Sequence, residues 1–342
     1  MPDYENGPTT LLHYADAVLE GGGVRGIAHV GALSVAEARG YRWQRCAGTS
    51  AGALVAALLA AGYTAAELYT ILSTTDFARF VRDRGIAGCW PVQLARLVCY
   101  GGLHTGNALE AFIRELLKAK GKKTFGDLLV PGQEDAPKSS RFRYRLVVIA
   151  SDITNGQMLR LPQDLVAYGQ DPDALDIALA VRMSASIPFV FQPILQRDNA
   201  GRLYRVVDGG LLSNFPVGIF DVEDEPAYPT LGFRLIDDLP RSAQATENLF
   251  RFGEDLLGAM LTAHDRLYLD DHAGVRTIAI PACGIGGLQF HLKPEQIEQL
   301  YQSGQTAAEQ FFTNWNFATY KAIYRAGQPT LRQRQDTRTG NV

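Results

Sequence analysis

The sequence predicts an α/β protein built on a mainly parallel central sheet. Short, small or apolar stretches at 14–20 and 41–47 run straight into glycine turns at Gly21 and Gly48. Each turn opens a segment with helical patterning, at 27–39 and 51–61. The order over 14–61 is therefore strand, turn, helix, strand, turn, helix. That order requires right-handed crossovers and parallel strand pairing.

The elements can be justified in chain order. Residues 14–20 read as a buried strand ending in a tight turn. Ile27, Val30, Leu33 and Ala36 fall at helical spacing, and Gly40 closes that helix. Residues 41–47 form a second strand, and the Ala, Leu, Val and Gly content of 51–61 suits a buried helix. Residues 65–119 are expected to be mainly helical, with breaks at Gly85, Gly88, Pro91 and Gly101-Gly102. Within them Thr105 is the expected N-cap of a helix carrying Leu109, Phe112, Ile113, Leu116 and Leu117 on one face. Residues 131–141 read as a surface loop, 144–150 as a buried strand and 158–161 as a short strand. A helix over 173–186 stops before Ile187-Pro188, and strands are expected at 203–207, 230–235 and 275–281. Residues 243–270 and 294–325 have helical periodicity. We expect one domain over 10–330, with chemistry-bearing motifs in 15–235, a helical part at 240–326 and a frayed polar tail at 331–342.

Composition narrows the function classes. The chain has 342 residues, 46% of them apolar, which is ample for a large core. Its formal net charge of −3, with lysine and arginine dispersed, argues against binding of a nucleic-acid duplex. Cys46, Cys89, Cys99 and Cys283 are isolated from one another and from histidine clusters, so they read as reduced core residues and suggest no metal. The N-terminus lacks a basic region and an apolar run, and no apolar stretch reaches the length of a membrane span. The expectation is a cytoplasmic protein that meets lipid, if at all, peripherally.

The chemistry sits at the turns. Residues 48–52 read Gly-Thr-Ser-Ala-Gly, a match to the G-x-S-x-G nucleophile elbow. Gly48 and Gly52 let the backbone turn sharply, and the helix starting at Ala51 aims its positive end at Ser50. Residues 21–26 read Gly-Gly-Gly-Val-Arg-Gly and can offer backbone N–H groups to a developing oxyanion. The same stretch fits G-x-G-x-x-G, but the ribose-binding acid expected about twenty residues later is absent from Tyr41-Arg42-Trp43-Gln44-Arg45-Cys46. Asp208-Gly209-Gly210 follows the strand at 203–207 and could be a base or only a turn aspartate. His29, His104, His264, His272 and His291 read as structural or surface residues. Asp152 is ambiguous between pocket and turn. Residues 76–84 mix aromatics with arginines, as a lipid-contacting or an ordinary amphipathic segment would.

Gly-Gly-Gly-Val-Arg-Gly, then Gly-Thr-Ser-Ala-Gly, then Asp208-Gly209-Gly210 resembles the motif set of the patatin-like phospholipases. Ser184-Ala185-Ser186-Ile187-Pro188, Phe191-Gln192-Pro193 and Asn214-Phe215-Pro216 are similar too. The resemblance covers roughly 15–235 and implies a three-layer α/β/α fold with extra helices C-terminal. It implies a Ser50–Asp208 dyad with no intervening histidine, acting on acyl esters of phospholipids or other lipids without a cofactor. It places the oxyanion hole at Gly21, Gly22, Gly23 and Ala51, with Arg25 bracing the loop and Gly26, Gly48, Gly52, Gly209 and Gly210 as support. A serine triad completed by His264, His272 or His291, and a lipid-binding or signalling module with little turnover, stay open as alternatives. Some bacterial members of the family respond to small nucleotides or protein partners, and the helices after 240 are the place to look for such a regulator.

Overall fold

The computed structural model describes residues 12–82, 90–237 and 271–325. The chain begins with β1 (His13–Leu19), a 3-10 turn (Gly23–Gly26), α1 (Ile27–Ala38), β2 (Tyr41–Thr49) and α2 (Ala51–Ala60). It continues through α3 (Ala65–Thr74), α4 (Trp90–Tyr100), β3 (Gly102–His104) and α5 (Asn107–Ala119). The next part holds β4 (Leu146–Asp152), β5 (Gln157–Leu161), α6 (Ile177–Ser184), β6 (Phe189–Phe191), β7 (Ile194–Arg197) and β8 (Leu203–Asp208). β9 (Thr230–Ile236), α7 (Asp271–Val275), β10 (Thr277–Pro281), α8 (Pro294–Asn314) and α9 (Phe317–Tyr324) follow.

The main sheet has eight strands in the order β10-β9-β1-β2-β4-β8-β7, with β5 also on β4. β10, β9, β1, β2 and β4 are mutually parallel, as the sequence predicts. β5, β7 and β8 form the antiparallel part. The strand that ends in Asp208 is one of these antiparallel strands. β8 arrives through a hairpin from β7, so it must run back against β4.

That reversal has a geometric result. β5 pairs with β4 from Val148 to Asp152, which fills one edge of β4. A strand has only two edges, so β2 and β8 share the other. β2 takes Leu146 to Ile149 and β8 takes Ala150 to Asp152. The two strands run toward each other, and their carboxyl ends meet with Thr49 opposite Ile149 and Asp208 opposite Ala150.

The faces of the sheet are unequal. One face, with Ala15, Ala17, Leu19, Val148, Ala150 and Val206, joins the main core formed with α1, α2, α3, α5, α6 and α8. α8 lies along α1 so closely that Gly304 stands against the Ala28 carbonyl. The other face, with Val18, Ala47, Val147 and Ile149, packs Phe215, Val217, Phe220 and Ala273 of α7. At the amino end of this face Arg45 bonds Asp16 through Nε (2.9 Å) and Nη2 (2.5 Å), between the rings of Phe142 and Phe220. A second buried pair joins Arg276 Nη1 and Nη2 to Asp221 (2.6 and 2.9 Å).

Local differences from the sequence expectation have identifiable causes. The 65–119 stretch contains β3, which pairs with β6. Gly106, not Thr105, is the N-cap of α5, at φ +73°. The buried Arg182 guanidinium fills the space a side chain at 106 would need and takes the Thr105 carbonyl (2.6 Å). The helix expected over 173–186 is a 3-10 turn at Pro172–Ala174 followed by α6, whose start is capped by Asp176. Asp76 to Arg82 holds a 3-10 turn (Phe77–Val81) with Phe80 buried, and Asp83 and Arg84 lie outside the described residues. The helix expected at 243–270, Cys89, His264 and the 331–342 tail also lie outside them. Among the described residues, no helix is long and apolar enough to cross a membrane.

Candidate active site

Ser50 joins β2 to α2 with φ 54° and ψ −121°. A non-glycine residue in that region carries backbone strain of about 1–3 kcal/mol, retained only where the surroundings impose it. The surroundings here are specific. A Cβ on Gly48 would lie 2.4 Å from the Gly52 carbonyl, and one on Gly52 would lie 2.4 Å from the Leu19 carbonyl oxygen. The elbow is thus folded tightly on itself and onto the end of β1. Ser50 N–H donates to Ser184 Oγ (2.8 Å), and Ser184 Oγ donates to the Ile149 carbonyl (2.5 Å). Thr49 Oγ1 donates to the Ser213 carbonyl (3.0 Å).

Asp208 is 2% exposed. Its Oδ1 accepts the Gly210 N–H (2.8 Å), and its own N–H donates to the Ser186 carbonyl (2.9 Å). Burial pushes the carboxyl up to about 6, opposed by the Ser50 hydroxyl and the Gly210 amide. Oδ2 is buried with no hydrogen-bond partner among the described residues. The Ser50 hydroxyl favours the charged form of this carboxyl.

The glycine loop sits at the end of β1. Gly21 N–H donates to the Asn214 carbonyl (3.2 Å), and Asn214 Nδ2 donates to the Gly21 carbonyl (3.2 Å). This corrects the place of Gly21 in the donor set: its amide is already engaged in holding the loop to the chain after Asp208. The amides of Gly22, Gly23 and Ala51 have no acceptor among the described residues. Arg25 Nε donates to the Gly22 carbonyl (3.2 Å), and Arg25 Nη1 pairs with Asp237 (2.8 Å). A trans peptide points its C=O and N–H in opposite directions. Fixing the Gly22 carbonyl on Arg25 therefore turns the Gly23 N–H the other way. Gly23 itself is at φ +59°, and Gly26 touches Ala51, so the two helix starts lie side by side. Gly209 packs against the Ile149 carbonyl, and Gly210 supplies the amide to Asp208.

The structure brings together Ser50, Asp208, Gly21 to Gly23 and Ala51, and sets Arg25 behind the loop. No histidine bonds Asp208 among the described residues. His29 is fully buried, held near 4 by burial, with Nε2 on the Glu20 carbonyl (2.9 Å). His291 is exposed, and His104 packs edge-on to Phe191. Asp152 bonds Thr154, Asn155 and Tyr168, which makes it the organiser of the β4–β5 turn. No local spacing in the sequence marks a role for Ser184 or Asn214. Both lie in stretches already similar to the family, which was the only signal available for them.

The family description "Patatin-like phospholipase" matches residues 17–221, a span that contains the glycine loop, Ser50, Ser184, Asp208 and Asn214. The chain belongs to this family. The YqhO protein of Bacillus subtilis (strain 168) is 37% identical over 311 residues, covering 89% of this chain and 100% of that protein. "Probable lipid hydrolase 463L" of Invertebrate iridescent virus 6 is 26% identical over 208 residues, 60% of this chain and 63% of that one. Among solved structures, VipD from Legionella pneumophila superposes with a TM-score of 0.53 at 17% identity, over 89% of this chain and 67% of that chain. That likeness shows the patatin-like fold. Family membership makes the chain a lipid hydrolase in general terms.

Proposed function

We propose that this patatin-like protein cleaves carboxylic esters of phospholipids or lysophospholipids through an acyl-Ser50 intermediate, with Asp208 as the base. One observation carries the reading: a strained serine faces a fully buried carboxylate that has an unused oxygen. Asp208 Oδ2 takes the Ser50 hydroxyl proton as Oγ bonds the ester carbonyl carbon. The carbonyl oxygen becomes an oxyanion, and the amides of Gly22, Gly23 and Ala51 are the donors open to it. Each such donor contributes on the order of 3 kcal/mol to the transition state. Collapse breaks the ester C–O bond, and the leaving alcohol takes the proton from Asp208. A water then gives a proton to Asp208 and attacks the acyl carbon. The Ser50 oxygen leaves, recovers that proton, and free fatty acid departs.

A base near 6 suits this task, because it is ionised at neutral pH yet strong enough to accept a proton. The positive end of α2 also favours the serine alkoxide. Ser50→Ala and Asp208→Ala should each lower ester hydrolysis by about a thousandfold or more, with far-UV circular dichroism unchanged. A fluorophosphonate should label Ser50 and no other residue. Full turnover by either variant overturns the dyad. A single histidine found essential by alanine replacement favours a triad instead.

A further inference from the structure

Among the described residues, the face of the sheet that packs Phe215, Val217 and Phe220 is not covered to its end. Beyond the level of Ser50, β4, β8 and β7 continue together. Ile153 N–H donates to the Arg205 carbonyl (3.0 Å), Arg205 pairs with Leu195, and Leu203 pairs with Arg197. Side chains alternate across a strand, so Tyr204, Val206 and Asp208 point inward while Leu203 and Arg205 point out. Two cross-strand rows result: Ile153–Arg205–Leu195 and Leu203–Arg197. Ile153, Leu195 and Leu203 are 45%, 57% and 48% exposed. Neither Arg197 nor Arg205 pairs with a carboxylate among the described residues.

The charge of this corner departs from that of the chain. Arg160 pairs with Asp164 (2.9 Å) and Arg202 with Asp198 (2.7 Å), which leaves Arg197 and Arg205 as the uncompensated charges of these rows in a protein of net charge −3. The rows also stand on the side where the chemistry lies. Arg205 precedes Asp208 by three residues, about 10 Å along a strand.

We propose that this bare corner docks the enzyme on an anionic lipid bilayer. Ile153, Leu195 and Leu203 enter the headgroup layer, and Arg197 and Arg205 pair with anionic headgroups. Apolar side chains interleaved with arginines suit that interface, where each basic residue adds to the attraction of an acidic leaflet. A second copy of the chain fits less well. Like arginines would face one another, and β7 is an edge strand that follows Pro193 and carries Arg197, both features that discourage strand pairing. The inference rests on the lipid-ester reading above, and its test is separable from it.

The full chain is sedimented with vesicles of phosphatidylcholine, with or without phosphatidylglycerol. Hydrolysis of a monomeric short-chain ester is measured in parallel. The parent should bind the phosphatidylglycerol vesicles more tightly. Arg197→Glu/Arg205→Glu and Leu195→Ser/Leu203→Ser should each weaken that binding about tenfold. Soluble-ester hydrolysis and thermal midpoint should stay at the parent values. Equal binding of parent and variants overturns the proposal. So does equal binding to both vesicle types, or light scattering that shows a parent dimer dissociated by the substitutions. A parent that binds vesicles as expected but hydrolyses no ester refutes the catalytic reading and leaves the docking face standing.

Discussion

Asp208 holds a conflict between stability and chemistry. Its carboxyl is pushed up to about 6 by burial, while an aspartate in the unfolded chain titrates near 3.8. The folded protein therefore prefers the protonated form. The ionised form costs stability, and that cost grows as pH rises from about 4 through about 6 and is complete above it. Asp208→Asn keeps the acceptor for Gly210 N–H and removes the charge. It should raise stability by about 1–3 kcal/mol at pH 8 and by little at pH 4, read from denaturant unfolding at both values. Hydrolysis should behave in the opposite sense. The parent's kcat/KM should fall as pH drops below about 6, with the slope of a single proton, because only the carboxylate can take the Ser50 proton. A flat profile from pH 5 to pH 8 would contradict Asp208 as the base. In the proposed dyad, the group that limits stability is also the one the reaction requires.

The end of α6 and the residues after it do more than join two strands. Ser184 Oγ accepts the Ser50 N–H and donates to the Ile149 carbonyl, and the Ser186 carbonyl accepts the Asp208 N–H. One short segment therefore holds the backbones of Ser50 and Asp208, the two members of the proposed dyad. Arg182 fixes that segment from below by bonding Ser186 Oγ and the carbonyls of Thr105 and Gln192. Ser184→Ala removes the acceptor of the buried Ser50 amide and a donor to the Ile149 carbonyl. It should cost about 1–3 kcal/mol of stability and lower kcat roughly tenfold with little change in KM. Unchanged kcat would show that the strained elbow needs no such clamp. Little of this is legible in the sequence. The elbow and the Asp-Gly-Gly turn are visible because glycines mark sites where backbones must approach closely. The direction of β8 is not visible, because Leu-Tyr-Arg-Val-Val reads the same whether a strand runs up or down. β7 is short, and its Ile-Leu-Gln-Arg does not alternate between apolar and polar residues, so it carries no strand signal. Ser184 acts through contacts to positions 35 and 134 residues away, which no local spacing encodes.

The molecule's two sheet faces are stabilised differently. The helical face is an apolar core, whereas the opposite face closes around the buried Asp16–Arg45 and Asp221–Arg276 pairs. Buried pairs contribute little net stability, but removing one partner leaves an uncompensated charge. Arg276→Met should cost about 3–5 kcal/mol, and Asp221→Leu/Arg276→Met should recover most of it. Chemical denaturation of the single and double variants checks this, and equal losses in both would show that packing, not charge, is at stake. The Asp221 pair links the 215–221 covering segment to the start of β10. The arrangement explains why the sequence motifs end near Asn214 while the fold does not: β9 and β10 extend the same parallel sheet.

The head-on meeting of β2 and β8 gives β4 a part that neither motif reveals. Thr49 and Asp208 stand opposite consecutive residues of β4, Ile149 and Ala150. The separation of serine and aspartate is therefore written in a third strand that carries neither. Transplanting the serine elbow and the Asp-Gly-Gly turn onto another scaffold would carry over the reacting groups without their spacing. A host sheet would also need a long strand with one edge divided between two incoming chains and no vacant position between them. The portable unit of this chemistry is three strands and their register.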